Sequence, residues 1–377
     1  MRNTLLDGLT PAQFLRRHWQ KKPLLARASL PQFATLVTRA ALIELAQQPE
    51  AEARLILRSG NRWQVRHGPF ARRDFAQLPA RNWTLLVQGV DLLLPAARAL
   101  LAQFDFIPYA RLDDLMVSYA PPGGGVGPHF DSYDVFLLQG EGRRRWQISA
   151  QRNLELVTHA PLKILQRFRA AREWTLEAGD LLYLPPRYAH DGIALDDCIT
   201  CSVGFRAPSA QDLCSRFYDY LQDNLDAPGR YADPQLKPTR HPARIDTTLA
   251  AGLLRLLDRA RWRRADMLRF IGTDLSTPKP QVVFSPPLRP LSAAALARSA
   301  GQRGLALAPA TILLYDHAAF YINGERCTPP PAARRALRRL ADRRTLPPSA
   351  VLTAAARELL YAWYRAGYLD TAPTPRS

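Results

Sequence analysis

At 377 residues, 47% of them hydrophobic, the chain exceeds the usual single-domain length and has ample material for a core. Its most apolar runs, such as Leu92–Phe104, are short and interrupted by Arg or Pro, whereas a bilayer span needs about 20 apolar residues. Met1–Gln20 lacks the apolar stretch of a secretory signal, and the four cysteines (Cys198, Cys201, Cys214, Cys327) are too irregular for a disulfide framework, so a soluble cytoplasmic protein is expected.

The net charge of +18 is unevenly spread: residues 230–377 carry 24 Lys and Arg against 10 Asp and Glu, a net of +14. Such a field attracts nucleic acid or a ribosomal surface, and it equally describes a solvated, arginine-rich surface set by composition.

In chain order, Thr10–Trp19 reads as a helix with Thr10 as cap and Pro11 in the first turn. A second helix is predicted over Leu30–Gln48. Strands follow at Arg54–Arg58, Arg62–Arg66 and Trp83–Gln88, then a helix near Leu94–Phe104. From Asp114 to Phe205 short β-rich runs recur between Gly and Pro: Leu115–Tyr119, Asp134–Gln139, Arg145–Ser149, Asp180–Leu184 and Ile199–Phe205. That texture predicts an antiparallel sandwich or barrel. Helices return at Ala210–Asn224 and Thr247–Phe270, and the Pro-rich stretch Pro278–Pro290 reads as a linker. Helix Ser292–Gly301, a hairpin of Thr311–Tyr315 and Phe320–Ile322, and helices Pro331–Leu340 and Ser349–Gly367 then follow in an order that resembles a winged helix.

The chemistry concentrates in Gly123-Gly-Gly-Val-Gly-Pro-His-Phe-Asp131. In a strand, residues two apart share a face, so His129 and Asp131 reach one ion while Phe130 packs behind. A third ligand is expected from the turn Pro185-Pro-Arg-Tyr-Ala-His190, which follows a strand. Two imidazoles and one carboxylate on one face leave three positions open, the facial triad of non-haem iron(II) oxygenases, whereas zinc more often takes a closed His and Cys set. His-x-Asp alone is a weak signal. The Gly-rich turn before it, the later His and a nearby cation together strengthen it.

That cation is Arg144, in Gly142-Arg-Arg-Arg-Trp146: alternation turns Arg144 inward and Arg143 and Arg145 outward. A guanidinium there is a bidentate partner for the distal carboxylate of 2-oxoglutarate. By the same period, Asp114, Met116 and Ser118 share one face, as do His129, Asp131 and Tyr133. Ser118 is then a hydrogen-bond partner for the cosubstrate, and Asp114 and Tyr133 flank the entrance, where an acid suits a cationic substrate. Asp113-Asp114 equally suits the turn that opens the strand. Ser202 is a weaker candidate for the inner face. Cys198 and Cys201, three apart in a strand, face opposite ways and read as buried thiols.

The run Asp113-Asp-Leu-Met-Val-Ser-Tyr-Ala-Pro-Pro-Gly-Gly-Gly-Val-Gly-Pro-His-Phe-Asp-Ser-Tyr-Asp-Val-Phe-Leu-Leu-Gln139, with Gly142–Trp146, Leu184–Gly192 and Ser202–Pro208, resembles the bacterial ribosomal oxygenases of the JmjC (cupin) superfamily. The resemblance implies an α+β architecture. A double-stranded β-helix, the JmjC jelly roll, would occupy residues 1–208, a helical dimerisation segment 209–277 and a winged helix 278–377. It also implies Fe(II) on His129, Asp131 and His190, 2-oxoglutarate on Arg144, and substrate contacts at Asp114, Met116 and Tyr133. The activity so implied is hydroxylation, with dioxygen, of an arginine β-carbon on a large-subunit ribosomal protein, by a homodimer. Two alternatives stay open: a JmjC hydroxylase or demethylase with another protein target, and a non-enzymatic cupin with a basic winged helix that binds nucleic acid. An intact triad with Arg144 argues against the second, since a binding module needs neither.

Overall fold

The computed structural model describes residues 4–60 and 62–372. The chain divides into two compact units, one holding the chain up to Ala207 with Pro280–Val283, the other Pro208–Lys279 and the chain from Phe284 onward.

The first unit begins with helix α1 (Pro11–Arg17), for which Thr10 is the cap: its hydroxyl accepts from the Gln13 N–H, and the Gln13 side chain accepts from the Thr10 N–H. This helix turns Phe14, fully buried, onto the core. The helix predicted from Leu30 is instead one 3-10 turn at Pro31–Phe33 and a separate helix α2 (Arg39–Leu45). The new start has a local cause, because the Thr38 hydroxyl accepts the Ala41 N–H. Short helices α3 (Arg72–Ala76), α4 (Val90–Leu93) and α5 (Pro95–Leu101) follow.

Among the described residues, eleven strands build this unit: β1 (Leu24–Ala26), β2 (Ala53–Ser59), β3 (Arg62–His67), β4 (Trp83–Val87), β5 (Leu112–Ala120), β6 (Val135–Gln139), β7 (Arg144–Ser149), β8 (Arg172–Leu176), β9 (Leu181–Leu184), β10 (Ala189–Ala194) and β11 (Cys198–Phe205). Eight pair antiparallel in the order β1-β9-β6-β11-β5-β4-β2-β3, and a smaller sheet runs β10-β7-β8. Period-two alternation divides the apolar residues of the large sheet between two cores. Leu115, Val117, Phe136, Leu138, Tyr183 and Val203 point outward to the helices. Val135, Leu137, Leu182 and Leu184 instead meet Trp146, Ile148 and Leu176 of the small sheet in the space between the sheets. Two facing antiparallel sheets are the jelly roll expected from the sequence.

The second unit carries α6 (Ala210–Asn224), α7 (Thr247–Leu257) and α8 (Arg264–Ser276). The single helix predicted over Thr247–Phe270 is therefore two, interrupted at residues 258–263. Next come α9 (Ala293–Arg303), β12 (Leu305–Leu307), β13 (Leu313–Tyr315), β14 (Phe320–Ile322), β15 (Glu325–Cys327), α10 (Pro331–Arg343), β16 (Thr345–Leu346), α11 (Ala354–Arg365) and β17 (Leu369–Thr371). Leu296, Leu307, Phe320, Leu337, Leu340, Leu360 and Trp363 form their common core, as a winged helix requires. Among the described residues, no helix is long and apolar enough to cross a membrane.

Candidate metal centre

The strand expected to carry His129 and Asp131 is a single bridge. His129 pairs with His190 alone, and Phe130 and Asp131 continue as irregular chain. His190, expected on a turn, lies in β10, directly opposite Ile148 of β7. The Pro185-Pro-Arg turn aims it there. Arg187 adopts a left-handed φ of 63° and its N–H donates to the Asp131 carbonyl at 2.6 Å, tying the turn to the ligand segment.

The structure brings His129, Asp131 and His190 together, one donor atom from each lying within 4.8 Å of the others. Nδ1 of His129 sits 2.9 Å from the Gly127 carbonyl, and Nδ1 of His190 sits 2.9 Å from the Tyr188 carbonyl. A carbonyl only accepts, so each Nδ1 carries its proton and each Nε2 keeps a free lone pair. His190 Nε2 faces Asp131 Oδ2 at 3.7 Å. Burial, then the neighbouring His129, lowers the His190 pKa to about 4 in spite of Asp131. The ring is therefore neutral at neutral pH, the form that ligates a metal.

Arg144, Trp146 and Ile148 alternate onto the inner face of β7. Arg144 is 5% exposed, its guanidinium lies 5.7 Å over the Trp146 ring, and its Nε and Nη2 have no hydrogen-bond partner. Buried charged donors left in this state call for an anionic acceptor. Arg143 points out to Asp196, with Nε 2.9 Å from Oδ2, as the alternation predicts.

Ser118 faces the same interior from β5, but its hydroxyl is turned to the Thr200 carbonyl at 3.4 Å. Thr200 in turn donates to Gln139 Oε1 at 3.2 Å. Ser202 lies opposite Met116 in the ladder, on the Thr200 face. Asp114 is buried and accepts from the Gly89 N–H at 3.2 Å. It approaches Tyr133 beside Gly204, where an added Cβ would lie 3.8 Å from Asp114 Oδ1 and 4.0 Å from the Tyr133 ring. Tyr133 is 41% exposed, yet its hydroxyl end is enclosed; burial and the carboxylates of Asp131, Asp114 and Asp113 hold its pKa above the ordinary phenol range. Met116 is half-buried.

Two contributors escaped the sequence reading. Trp146 stands 5.8 Å from the His190 ring, and it shares the face of Arg144 by the same alternation, so the signal was present. Gly192 is the other: a Cβ there would lie 2.6 Å from the Trp146 ring, so only glycine lets β10 and the indole approach this closely. Nothing in the local sequence marks that contact.

The JmjC domain family matches residues 99–213, and the ROXA-like winged helix family matches residues 259–370. Among curated proteins, "Ribosomal protein uL16 3-hydroxylase" of Escherichia coli K12 is 42% identical over 235 residues, covering 62% of this chain and 62% of that protein. "Probable ribosomal oxygenase" of Haemophilus influenzae is 41% identical over 213 residues, covering 55% and 52%. The aligned chain thus spans 62% and 52% of the length of these two relatives. The X-ray structure of E. coli ycfD superposes with a TM-score of 0.83 at 34% identity, covering 96% of this chain and 98% of that one. The same ribosomal oxygenase in complex with cobalt and 2-oxoglutarate gives a TM-score of 0.78 at 34% identity, with the same coverage.

Proposed function

The chain belongs to the JmjC ribosomal oxygenases that carry a ROXA-like winged helix, and from that premise we propose that it is an iron(II)- and 2-oxoglutarate-dependent protein hydroxylase. Its proposed substrate is an arginine of the large-subunit ribosomal protein uL16, modified at the β-carbon. One observation carries the reading: a preformed His129–Asp131–His190 cluster beside a buried guanidinium whose Nε and Nη2 lack acceptors.

The donor set fits the metal. Two imidazoles and one carboxylate, with no thiolate among them, suit iron(II) and leave positions for other ligands. Arg144 fits the distal carboxylate of the keto acid, because Nε and Nη2 form the fork that binds a carboxylate bidentately. Iron and 2-oxoglutarate, when bound, supply dioxygen activation coupled to decarboxylation of the keto acid to succinate. The chain's own residues supply placement. The carbonyls of Gly127 and Tyr188 hold the two imidazoles in their ligating tautomer. Trp146 and Ile148 line the interior and exclude water from it. Asp114 and Tyr133 offer an anionic and a phenolic contact to a cationic side chain at the entrance, while Met116 packs against its methylenes. Ser118 is assigned to the cosubstrate from the inner face of β5, where its hydroxyl would turn from the Thr200 carbonyl to reach it.

The assignment extends to organisation. Residues 1–208 form the oxygenase domain, 209–277 the dimerisation segment and 278–377 the winged helix, in a cytoplasmic homodimer. Support for the dimer is the apolar side chains left exposed on the helical segment, among them Leu254 at 60% and Leu257 at 69%. The test is iron-dependent succinate formation with a uL16 peptide, read together with gain of one oxygen atom at its arginine by mass spectrometry. Succinate formation without peptide oxidation would move the target elsewhere. No turnover with any ribosomal peptide would overturn the reading.

A further inference from the structure

The hydroxylase reading makes no use of the positive charge that residues 230–377 carry. The structure concentrates part of it on one helix. In α10, Ala333, Leu337, Leu340 and Ala341 recur at helical spacing and are buried in the winged-helix core. The opposite face presents Arg335, Arg338, Arg339 and Arg343, all exposed, with the half-buried Arg334 beside them. A shallow groove runs along this face, lined by these arginines with Pro331 and Asp342. From Arg334 to Arg343 the stripe extends roughly 13 Å along the axis at 1.5 Å per residue.

Two contacts organise the stripe. The Arg338 guanidinium lies 5.7 Å over the ring of Tyr315 in β13. The Tyr315 hydroxyl donates to the Asp342 carboxylate, at 3.0 and 3.1 Å from its two oxygens. That carboxylate is the single acid in the groove, so five guanidinium groups face one anion. A solvated helix face that is stable by itself usually mixes both signs in i,i+4 pairs. This face does not.

We propose that the arginine face of α10 is an RNA-binding surface that grips the phosphate backbone without reading sequence. Guanidinium groups bind phosphate oxygens bidentately, and a stripe of them along a helix suits consecutive phosphates. A membrane is the poorer fit, because an amphipathic helix that enters a lipid surface needs its apolar face free, and here that face is in the core. RNA in place of DNA rests on the ribosomal substrate proposed above; the binding itself does not depend on turnover.

The experiment uses the full chain and a short labelled RNA hairpin, followed by fluorescence anisotropy from about 50 to 200 mM salt. Matched arms contain a DNA duplex and vesicles with an anionic phospholipid. Replacing Arg335, Arg338, Arg339 and Arg343 with Gln is expected to weaken RNA binding at least tenfold at low salt. It should also lower the slope of log affinity against log salt by about one for each phosphate no longer neutralised. Lys at the same four positions should keep the slope, which separates removal of charge from damage to the fold. Uniform circular dichroism and unchanged peptide hydroxylation are expected for both variants. Equal RNA binding by the Gln variant overturns the proposal, as does a comparable weakening caused only by Arg261→Gln with Arg264→Gln. Tighter binding of DNA or vesicles than of RNA also overturns it. An enzyme inactive on uL16 that still shows the α10-dependent RNA binding would sink the substrate reading alone.

Discussion

His129 and His190 exchange both backbone hydrogen bonds, the His129 N–H donating to the His190 carbonyl at 2.9 Å and the reverse bond measuring 2.8 Å. The imidazoles leave this bridge on the same side, with ring centroids 4.2 Å apart. The pair is thus built before any metal arrives, with His190 held in the β10–β7 ladder and His129 joined to it by the bridge. Loss of a residue that only orients a ligand costs metal affinity about 10–100-fold, so loss of a ligand itself should cost more than about 100-fold. His129→Ala should therefore bind no stoichiometric iron and form succinate only at background rate, with its circular dichroism unchanged. Iron analysis and a coupled succinate assay check this, and iron-dependent turnover by the variant would remove His129 from the site.

Arg144 provides a different signature, because it is placed to hold the cosubstrate and not the metal. Arg144→Lys keeps the charge but replaces a fork by a point donor. A charge-assisted hydrogen bond contributes about 1.5–3 kcal/mol, or roughly 10–100-fold in affinity. The variant should raise KM for 2-oxoglutarate by that factor while iron binding stays as in the parent. Competition by succinate should weaken in parallel. An unchanged KM would show that the carboxylate lies elsewhere.

What the sequence made legible follows from range. His129, Asp131 and Arg144 stand out as candidates in the sequence because period-two alternation and a Gly-rich turn are local signals. The β-strands Arg62–His67 and Cys198–Phe205 appeared within a residue or so of their expected bounds for the same reason. Strand β10 was missed because Ala189–Ala194 shows almost no exposed face; with both sides covered, alternation disappears. From the sequence His190 therefore reads as part of the preceding turn, whereas it lies in β10. The break at Thr38 is hidden because apolar periodicity runs across it, while the Thr38 cap decides where the helix starts; the break between α7 and α8 has no side-chain cap at Arg263 to mark it. Contacts such as Gly192 against Trp146 join different strands, and no local pattern encodes them.

A long-range network beside the site should set much of its stability. Asp134 is fully buried and accepts from the Tyr183 hydroxyl at 2.6 Å, Gln20 Nε2 at 3.0 Å and Arg111 Nη2 at 3.3 Å. These donors come from the turn after α1, from β9 and from the segment before β5, so one carboxylate ties three pieces of chain. Burial and this hydrogen bond hold the Tyr183 phenol far above its ordinary range, so it remains a donor at every working pH. Asp134→Asn turns an acceptor into a partial donor among donors and leaves charge on Arg111 uncompensated. A loss of about 2–3 kcal/mol is expected. Chemical denaturation measures it, and a change under about 0.5 kcal/mol would show the network to be incidental.

The four cysteines should separate by burial in a thiol-labelling time course. Cys214 is exposed on α6, Cys327 is intermediate, and Cys198 and Cys201 are buried, all four as free thiols. The spacing Cys-x-x-Cys invites a redox or zinc reading, but the two side chains leave opposite faces of β11. Cys198 packs with Ala120 and Ala194, whereas Cys201 packs in the outer core with Val117 and Val203. Two thiols on opposite faces of one strand cannot form a disulfide or share an ion. Burial also raises the Cys327 thiol to about 11 and the Cys201 thiol to about 12, which removes the reactive thiolate at neutral pH. Native protein treated with a chromogenic disulfide should release one equivalent quickly, from Cys214, and a second slowly. The remaining two should appear only in denaturant. Cys214→Ser should delete the fast phase and leave the fold intact. Rapid labelling of Cys198 or Cys201 in native protein would contradict the packing of β11, and with it the closed inner face on which Thr200 and Ser202 stand.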